Sequence, residues 1–160
     1  MDLLSSSVTD SMISSLNGLS LRHKALASNI ANADTPGYKR VDVAFEGQLS
    51  EIINNERAAQ LKKEQYSAQL MNSPTGAITL DTNLLRFNVL NAVEQSLTHK
   101  DFKPQINADN NSPENNKGNS VQIESEMSEL AKNGMTYNAV AQLLSKKYAG
   151  LADVIKQAGG

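Results

Sequence analysis

Histidines and carboxylates are the side chains of this sequence that could support metal binding or acid–base catalysis. His23 and His99 lie far apart, and neither has a second ligand three or four residues away, where two ligands would share one helix face. Glu124, Glu126 and Glu129 lie close together, but at helical spacing they are typical of a solvated charged face rather than of an acid–base pair. The sequence therefore predicts no metal site, no catalytic site and no cofactor.

Other chemical motifs are missing from the sequence as well. It contains no cysteine, and therefore no thiol nucleophile, and it has neither a G-x-S-x-G turn nor a glycine-rich phosphate-binding loop. With 20% charged residues, a net charge of -2 and no basic stripe with interleaved aromatics, nucleic acid is not an expected partner. We predict a non-enzymatic protein with no small-molecule substrate, whose function depends on surfaces that contact other proteins.

Targeting signals are also not expected from this sequence. The first residues carry no positive charge and no sustained apolar run, so a cleaved secretory signal is not predicted. No stretch approaches the roughly 18 apolar residues of a membrane span. If this protein is exported, it would need a pathway that does not depend on a cleaved secretory signal.

Two apolar stripes at the ends of the sequence predict the elements that carry these surfaces. The stripes alternate steps of four and three residues, which is the spacing of a coiled-coil seam. They predict helices over residues 8–32 and 121–157, and hence a mainly α fold in which long terminal helices pack as a coiled coil or helical bundle. The first seam comprises Met12, Leu16, Leu19, His23, Leu26, Ile30 and Ala33, and the second comprises Ile123, Met127, Leu130, Gly134, Tyr137, Ala141, Leu144, Tyr148, Leu151 and Ile155.

Glycine and proline set the expected breaks in these helices. Gly134 costs about 1 kcal/mol in a helix interior and offers an alternative break there, but the seam continues beyond it, so we predict one bent, continuous helix. Thr35 precedes a proline, Pro36 has a fixed φ and Gly37 permits positive φ, so the first helix must end here. Residues 39–45 then alternate polar and apolar side chains, which predicts a short extended segment.

The middle of the sequence is less regular. It predicts a second helix over residues 47–71, a turn at 72–76, a third helix over 84–97 with a strand at 85–89 as the alternative, and a flexible polar loop over 107–120. The sequence thus divides into residues 1–33, 34–45, 46–120 and 121–160, with the two ends expected to form one domain.

A family resemblance lies in the segment that ends the first helix. Residues 31–39, A-N-A-D-T-P-G-Y-K, resemble the A-N-x-x-T-P-G-Y signature of bacterial flagellar rod and hook proteins. Residues 118–137 resemble the pattern of rod proteins in which a G-N-x-V turn opens the last helix and an E-M pair and an N-x-x-x-Y follow. The short length and the V-D-V-A-F run are most similar to B-type proximal rod members, with C-type members as the nearest alternative.

The resemblance implies a structural subunit of the proximal rod, which is the drive shaft between the membrane ring or export gate and the rest of the rod. Such a subunit is needed for flagellum assembly and motility, spans the periplasm and is exported by the flagellar type III apparatus without a cleaved signal. Its implied partners are other rod subunits, membrane-ring proteins and export-gate proteins, in a helical homo- or hetero-oligomer. A soluble coiled-coil adaptor or export chaperone for flagellar subunits is the alternative.

Assembly residues can be named on both helices and on the signature segment. The seam candidates are Leu16, Leu19, Leu26, Ile30, Leu130, Tyr137, Leu144 and Leu151, and the signature candidates are Asn32, Thr35, Pro36, Gly37, Tyr38 and Lys39. Tyr38 is expected to anchor a contact between subunits, since an aromatic ring buries a large area, and Lys39 and Arg40 could meet an acidic neighbour. Phe45 and Leu49 resemble the short F-x-x-x-apolar signal by which rod and hook subunits are recognised at the export gate.

Overall fold

The computed structural model describes residues 7–71, 99–109, 113–114 and 118–158. The elements in chain order are helix α1 (Ser7–Ala31), strand β1 (Val41–Ala44), helix α2 (Glu46–Met71), a 3-10 turn (His99–Asp101), strand β2 (Gln105–Ala108) and helix α3 (Ile123–Ala158). The predicted mainly α fold with long terminal helices is therefore confirmed. Helix α3 is continuous through Gly134. None of the helices in the described ranges is long and apolar enough to cross a membrane.

Two compact units make up the chain. One contains residues 1–47 and 103–160, and the other contains residues 48–102. In the first unit, α1 and α3 run antiparallel, because Asn29 contacts Glu126 whereas Leu19 contacts Asn133. The same unit holds a two-stranded antiparallel sheet, in which Val41 of β1 pairs with Ala108 of β2.

Helix α1 is buried on two sides. The predicted seam supplies one buried face, with Leu19 and Leu26 almost fully covered. The second face consists of small and polar residues, namely Ser14, Gly18, Ala25 and Asn29. Gly18 lies against the Phe45 ring, and Asn29 bonds to Val41, so this face packs on the segment that follows the signature turn. The apolar spacing of α1 does not predict this face, because its residues are small or polar and lie off the seam.

The seam predicted for α3 consists of two columns of residues, and one column is wrong by one residue: the buried positions directly precede the predicted ones. The buried residues of this helix include Glu126 and Asn133, whereas Met127, Tyr148 and Ile155 of the predicted seam are exposed. The physical reason lies in the hydrogen bonds that α1 offers: Asn29 binds Glu126, and the Leu19 carbonyl accepts a bond from Asn133. Helix α1 therefore leaves the apolar side chains of Met127, Tyr148 and Ile155 uncovered.

The loop predicted over residues 107–120 is corrected at its two ends, while residues 110–112 and 115–117 lie outside the described residues. Asn107 and Ala108 belong to β2, which pairs with β1, and Asn119 and Ser120 are buried. Their order comes from partners far away in sequence, which a local polar composition cannot reveal. The turn at 72–76 and the third helix at 84–97, with its strand alternative, lie outside the described residues.

The second unit consists, where described, of α2 beyond Gly47 and the 3-10 turn. Ile52 and Leu49 are its buried apolar residues. His99 Nε2 lies 3.3 Å from Glu56 Oε2, and Gln48 Nε2 donates to the Asp101 carbonyl at 3.4 Å. These contacts fasten the turn to the first half of α2.

Replacing Gly18 by alanine tests how closely α1 packs on Phe45. A Cβ at Gly18 would lie 2.5 Å from two atoms of the Phe45 ring. We expect Gly18→Ala to lower the free energy of unfolding by about 1–3 kcal/mol, because overpacking outweighs the better helix propensity of alanine. Gly134→Ala is the matched control, since a Cβ there meets nothing within 4 Å. Urea denaturation should show this control unchanged or more stable, and equal behaviour of the two variants would contradict the packing argument.

Candidate functional site

The end of α1 is the centre of a site that we call the signature junction, formed by Asn29, Asn32–Arg40, Gly118–Val121 and Glu126. Three successive turns follow the helix, with bonds from Ala33 N to Ile30 O at 3.3 Å, from Thr35 N to Asn32 O at 3.0 Å and from Tyr38 N to Thr35 O at 3.3 Å. Gly37 has a φ of +74°, a left-handed conformation that favours glycine. The helix stop predicted at Thr35-Pro36-Gly37 is therefore present.

Asn119 closes this turn from the other end of the chain. Its Nδ2 group carries two protons and lies 2.8–2.9 Å from the carbonyl oxygens of Asn32, Ala33 and Thr35, so two of these oxygens share one proton. Its Oδ1 accepts from Val121 N at 2.7 Å. These carbonyls lie beyond Ala31, the last residue of α1, and therefore have no partner in the helix. A single buried amide thus closes the turn after α1 from more than 80 residues away in sequence.

Backbone contacts also join the two signature segments. Ser120 N donates to the Tyr38 carbonyl at 3.3 Å, and Arg40 N donates to Ser120 Oγ at 2.8 Å. Gly118 has a φ of +70°, and a Cβ there would lie 3.9 Å from the Cα of Gly37. The T-P-G-Y turn and the G-N-S-V turn therefore interlock as a pair of left-handed glycine turns.

Asn29 makes four hydrogen bonds beneath this turn. Its Nδ2 donates to Val41 O and to Glu126 Oε2, both at 2.8 Å. Its Oδ1 accepts from Val41 N at 2.9 Å and from the Tyr38 hydroxyl at 3.3 Å. The fully buried amide has both of its protons and both acceptor positions occupied. It bonds to Val41 as a neighbouring strand would, and so holds the start of β1 on α1.

A buried ion pair lies beside Asn29. Arg40 Nε donates to Glu126 Oε1 at 2.6 Å, and Arg40 Nη1 donates to Asp109 Oδ2 at 2.9 Å. The Glu126 side chain is only 2% exposed. Burial acts to lower the pKa of Arg40, but the bonds and charges of Glu126, Asp42 and Asp109 together raise it. Arg40 therefore stays charged and links α3, β1 and the end of β2.

A second arginine fixes the other end of β1. Arg22 Nε and Nη2 donate to the Val43 carbonyl at 3.1 and 2.6 Å, and the guanidinium also binds the Glu46 carboxylate at 2.5 and 2.8 Å. The Cζ atom of Arg22 lies 4.8 Å from the centroid of the Phe45 ring. The hydrogen bond from Arg22 lowers the pKa of Glu46, so this pair stabilises the fold above the ordinary glutamate pKa and loses its effect as the pH falls through the folded-state value.

The predicted assembly residues fall into different environments. Leu19 and Leu26 are buried, Leu16, Ile30, Asn32, Tyr38, Leu130, Leu144 and Leu151 are half-buried, and Thr35, Pro36, Gly37, Lys39 and Tyr137 are exposed. Tyr38 and Arg40, considered as contacts to neighbours, bond within the chain, and Lys39 pairs with Glu114. Contacts of these residues with other subunits stay a prediction.

Sequence reasoning did not identify Asn29, Arg22, Asn119 and Glu126 as site residues. A usable signal was present for Asn29 and Glu126, because both lie next to seam positions in helices where a polar side chain would be partly covered. In the described residues, no three His, Cys, Asp or Glu side chains are grouped so that they could hold a metal ion.

Comparison with known proteins connects this junction to a family. Residues 11–39, which span most of α1 and the T-P-G-Y turn, match the flagella basal body rod protein family. The chain is 36% identical over 141 residues to the flagellar basal body rod protein FlgB of Borrelia hermsii, covering 88% of this chain and 90% of that protein. It is 31% identical over 141 residues to FlgB of Borreliella burgdorferi, covering 88% of this chain and 90% of that protein. It is 26% identical over 141 residues to FlgB of Escherichia coli K12, covering 88% of this chain and 87% of that protein. The chain therefore belongs to the flagellar basal body rod protein family, and its relatives are of the FlgB type.

Proposed function

We propose that this chain is a structural subunit of the proximal rod, where it joins the membrane ring or export gate to the rest of the rod and is required for flagellum assembly and motility. A structural role in the basal-body rod follows from the family. The position within the rod, the partners and the requirement for motility are our proposal. In this role the signature junction holds α1, α3 and β1 as one rigid body, and neighbouring subunits pack on the outside of the helices.

The observation that carries this proposal is the uncovered apolar column of α3. Met127, Tyr148 and Ile155 are exposed although they keep the seam spacing, and Leu143 and Val154 beside them are also exposed. Apolar surface arranged at this spacing is typical of a helix that packs on another helix. Helix α1 does not cover this column, and another subunit would.

Helix length supports the same conclusion. α1 has 25 residues and α3 has 36, which correspond to about 37 and 54 Å at 1.5 Å per residue. Because Leu19 contacts Asn133 and the helices are antiparallel, Ser7 lies level with about residue 145 of α3. The last turns of α3 therefore extend beyond the described part of α1 and present Tyr148 and Ile155 to a neighbour.

Export by the flagellar type III apparatus, without a cleaved signal, is part of the proposal. The candidate signal residues Phe45 and Leu49 are only 4% and 8% exposed. An export gate could read these side chains only when the chain is unfolded around them. Burial of this kind fits a subunit that is delivered unfolded and folds on arrival in the periplasm.

Removal of the chain tests the proposed position in the rod. A strain without it should assemble the membrane ring but no rod beyond it, as seen by electron microscopy of isolated basal bodies, and motility should be lost. The tagged chain should be recovered in purified basal bodies of the complemented strain. Complete rods in the deletion strain would refute the proposal, and recovery of the chain only in the soluble fraction would favour the adaptor or export chaperone.

Opening the T-P-G-Y turn should impair assembly more than export. In the double variant Pro36→Ala/Gly37→Ala, α1 is free to continue past Ala31 and through the turn, because the fixed φ of proline is removed and the positive φ of Gly37 is disfavoured by a Cβ. The chain should still be secreted, whereas swimming in soft agar should be nearly abolished. Pro36→Ala alone, which keeps Gly37, is the control with a milder defect. Normal motility of the double variant would contradict the positional role of the turn.

A further inference from the structure

A surface cavity of about 370 Å³ lies between α1 and α3. His23 and Lys24 line it from α1, and Gly134, Tyr137 and Asn138 line it from α3. A Cβ at Gly134 would meet nothing within 4 Å, so the missing side chain leaves open space in the middle of the helix. The cavity has the form of a hole that accepts a knob from another helix.

The lining of the cavity combines apolar and polar groups. The Tyr137 ring and the bare backbone at Gly134 provide apolar surface, and His23, Lys24 and Asn138 bring hydrogen-bonding groups to it. A side chain with an apolar body and a polar tip matches this combination, because a purely aliphatic side chain would leave the covered polar groups without partners. Lys24 can in addition lie over an aromatic face.

One exposed side chain of α3 has this character. Tyr148 is 43% exposed and lies two heptads after Gly134, about 21 Å along the same helix at 1.5 Å per residue. It therefore cannot reach the cavity of its own chain. A 370 Å³ cavity is large enough for its ring, since a cavity of about 150 Å³ holds benzene.

We infer that the cavity at Gly134 receives the Tyr148 side chain of a second copy of this chain. The inference deepens the proposed rod function and rests on it, because it names two surfaces through which copies meet. Cavity and knob lie about 21 Å apart on α3, so each copy can offer its knob to one neighbour and its cavity to another. Such a heterologous contact adds copies in one direction when the rotation between copies does not close a ring, as a shaft requires.

Photo-cross-linking of the purified full chain tests this contact. p-Benzoylphenylalanine at position 148 keeps an aromatic knob, and irradiation should give a covalent dimer whose cross-link maps by mass spectrometry to residues around Gly134. In the background of Gly134→Leu, which fills the hole from its own chain, the dimer yield should fall at least tenfold. Circular dichroism should show that Gly134→Leu keeps its helix content with an equal or higher Tm, because leucine favours a helix more than glycine does.

The matched control places the same photoreactive group at position 154. Val154 is exposed on the same helix, and its cross-linking should not depend on Gly134→Leu. No dimer from position 148, a dimer that maps away from Gly134, or an undiminished yield with Gly134→Leu would each overturn the inference. The rod function has a separate test, and complete rods in the deletion strain would refute it. If no cross-link forms and Gly134→Leu supports normal motility, the inferred contact fails while the rod function stands.

Discussion

Arg40→Met is expected to lower the free energy of unfolding by about 3–5 kcal/mol, because it leaves the Glu126 carboxylate buried without its cation. Arg40 Nε lies 2.6 Å from Glu126 Oε1. The Glu126 side chain is only 2% exposed, so water cannot readily take the place of the lost guanidinium. Asp109 would lose its partner in the same step. Urea denaturation of the purified chain, followed by far-UV circular dichroism, measures the change.

Lys39→Met is the matched control for this prediction. Lys39 is adjacent in sequence and also pairs with a glutamate, Glu114, but both partners are about half exposed. Exposed ion pairs contribute about 0–1 kcal/mol, so Lys39→Met should change stability by less than that. If the two variants lose similar amounts, the ion pair of Arg40 is not the structural centre of the junction.

Asn119→Ala should separate the two signature segments. It removes the partner of three carbonyls in the turn after α1 and of the Val121 amide. We expect a loss of about 2–4 kcal/mol, since each buried polar group left unsatisfied costs about 1–3 kcal/mol and some of the carbonyls can turn to water. Amide exchange of Arg40 should rise at least tenfold, because Ser120 Oγ then no longer accepts from it. Exchange of Tyr38 should rise as well, because the turn bond from its amide to the Thr35 carbonyl loosens.

A functional measurement accompanies this variant. A chain with a loosened junction should be secreted but should restore swimming poorly in a strain that lacks the protein. Gln122→Ala, at an exposed position three residues away, is the control and should behave as the unmodified chain does. Unchanged exchange at Tyr38 in Asn119→Ala would show that the turn closes without its distant cap.

Local sequence signals account for the elements but not for their docking. The predicted and observed bounds of α1, α2 and α3 agree closely because apolar spacing and the Thr35-Pro36-Gly37 stop act over a few residues. The buried face of α3 was predicted one residue away from its observed position, because Glu126 and Asn133 are polar and were therefore expected to be exposed. Burial of such groups is decided by whether a partner exists, since an unpaired buried polar group is costly and a paired one is not.

The sequence by itself determined three properties of this protein: two long terminal helices, the turn that ends the first of them, and membership of the flagellar basal body rod protein family. Only the tertiary structure decided that Asn119 closes the turn after α1, that Asn29 and Arg40 meet at Glu126, and that β2 forms beside β1. The first group depends on backbone preferences and residue spacing within one segment. The second group depends on hydrogen bonds between residues up to 97 positions apart, which exist only after the chain has folded.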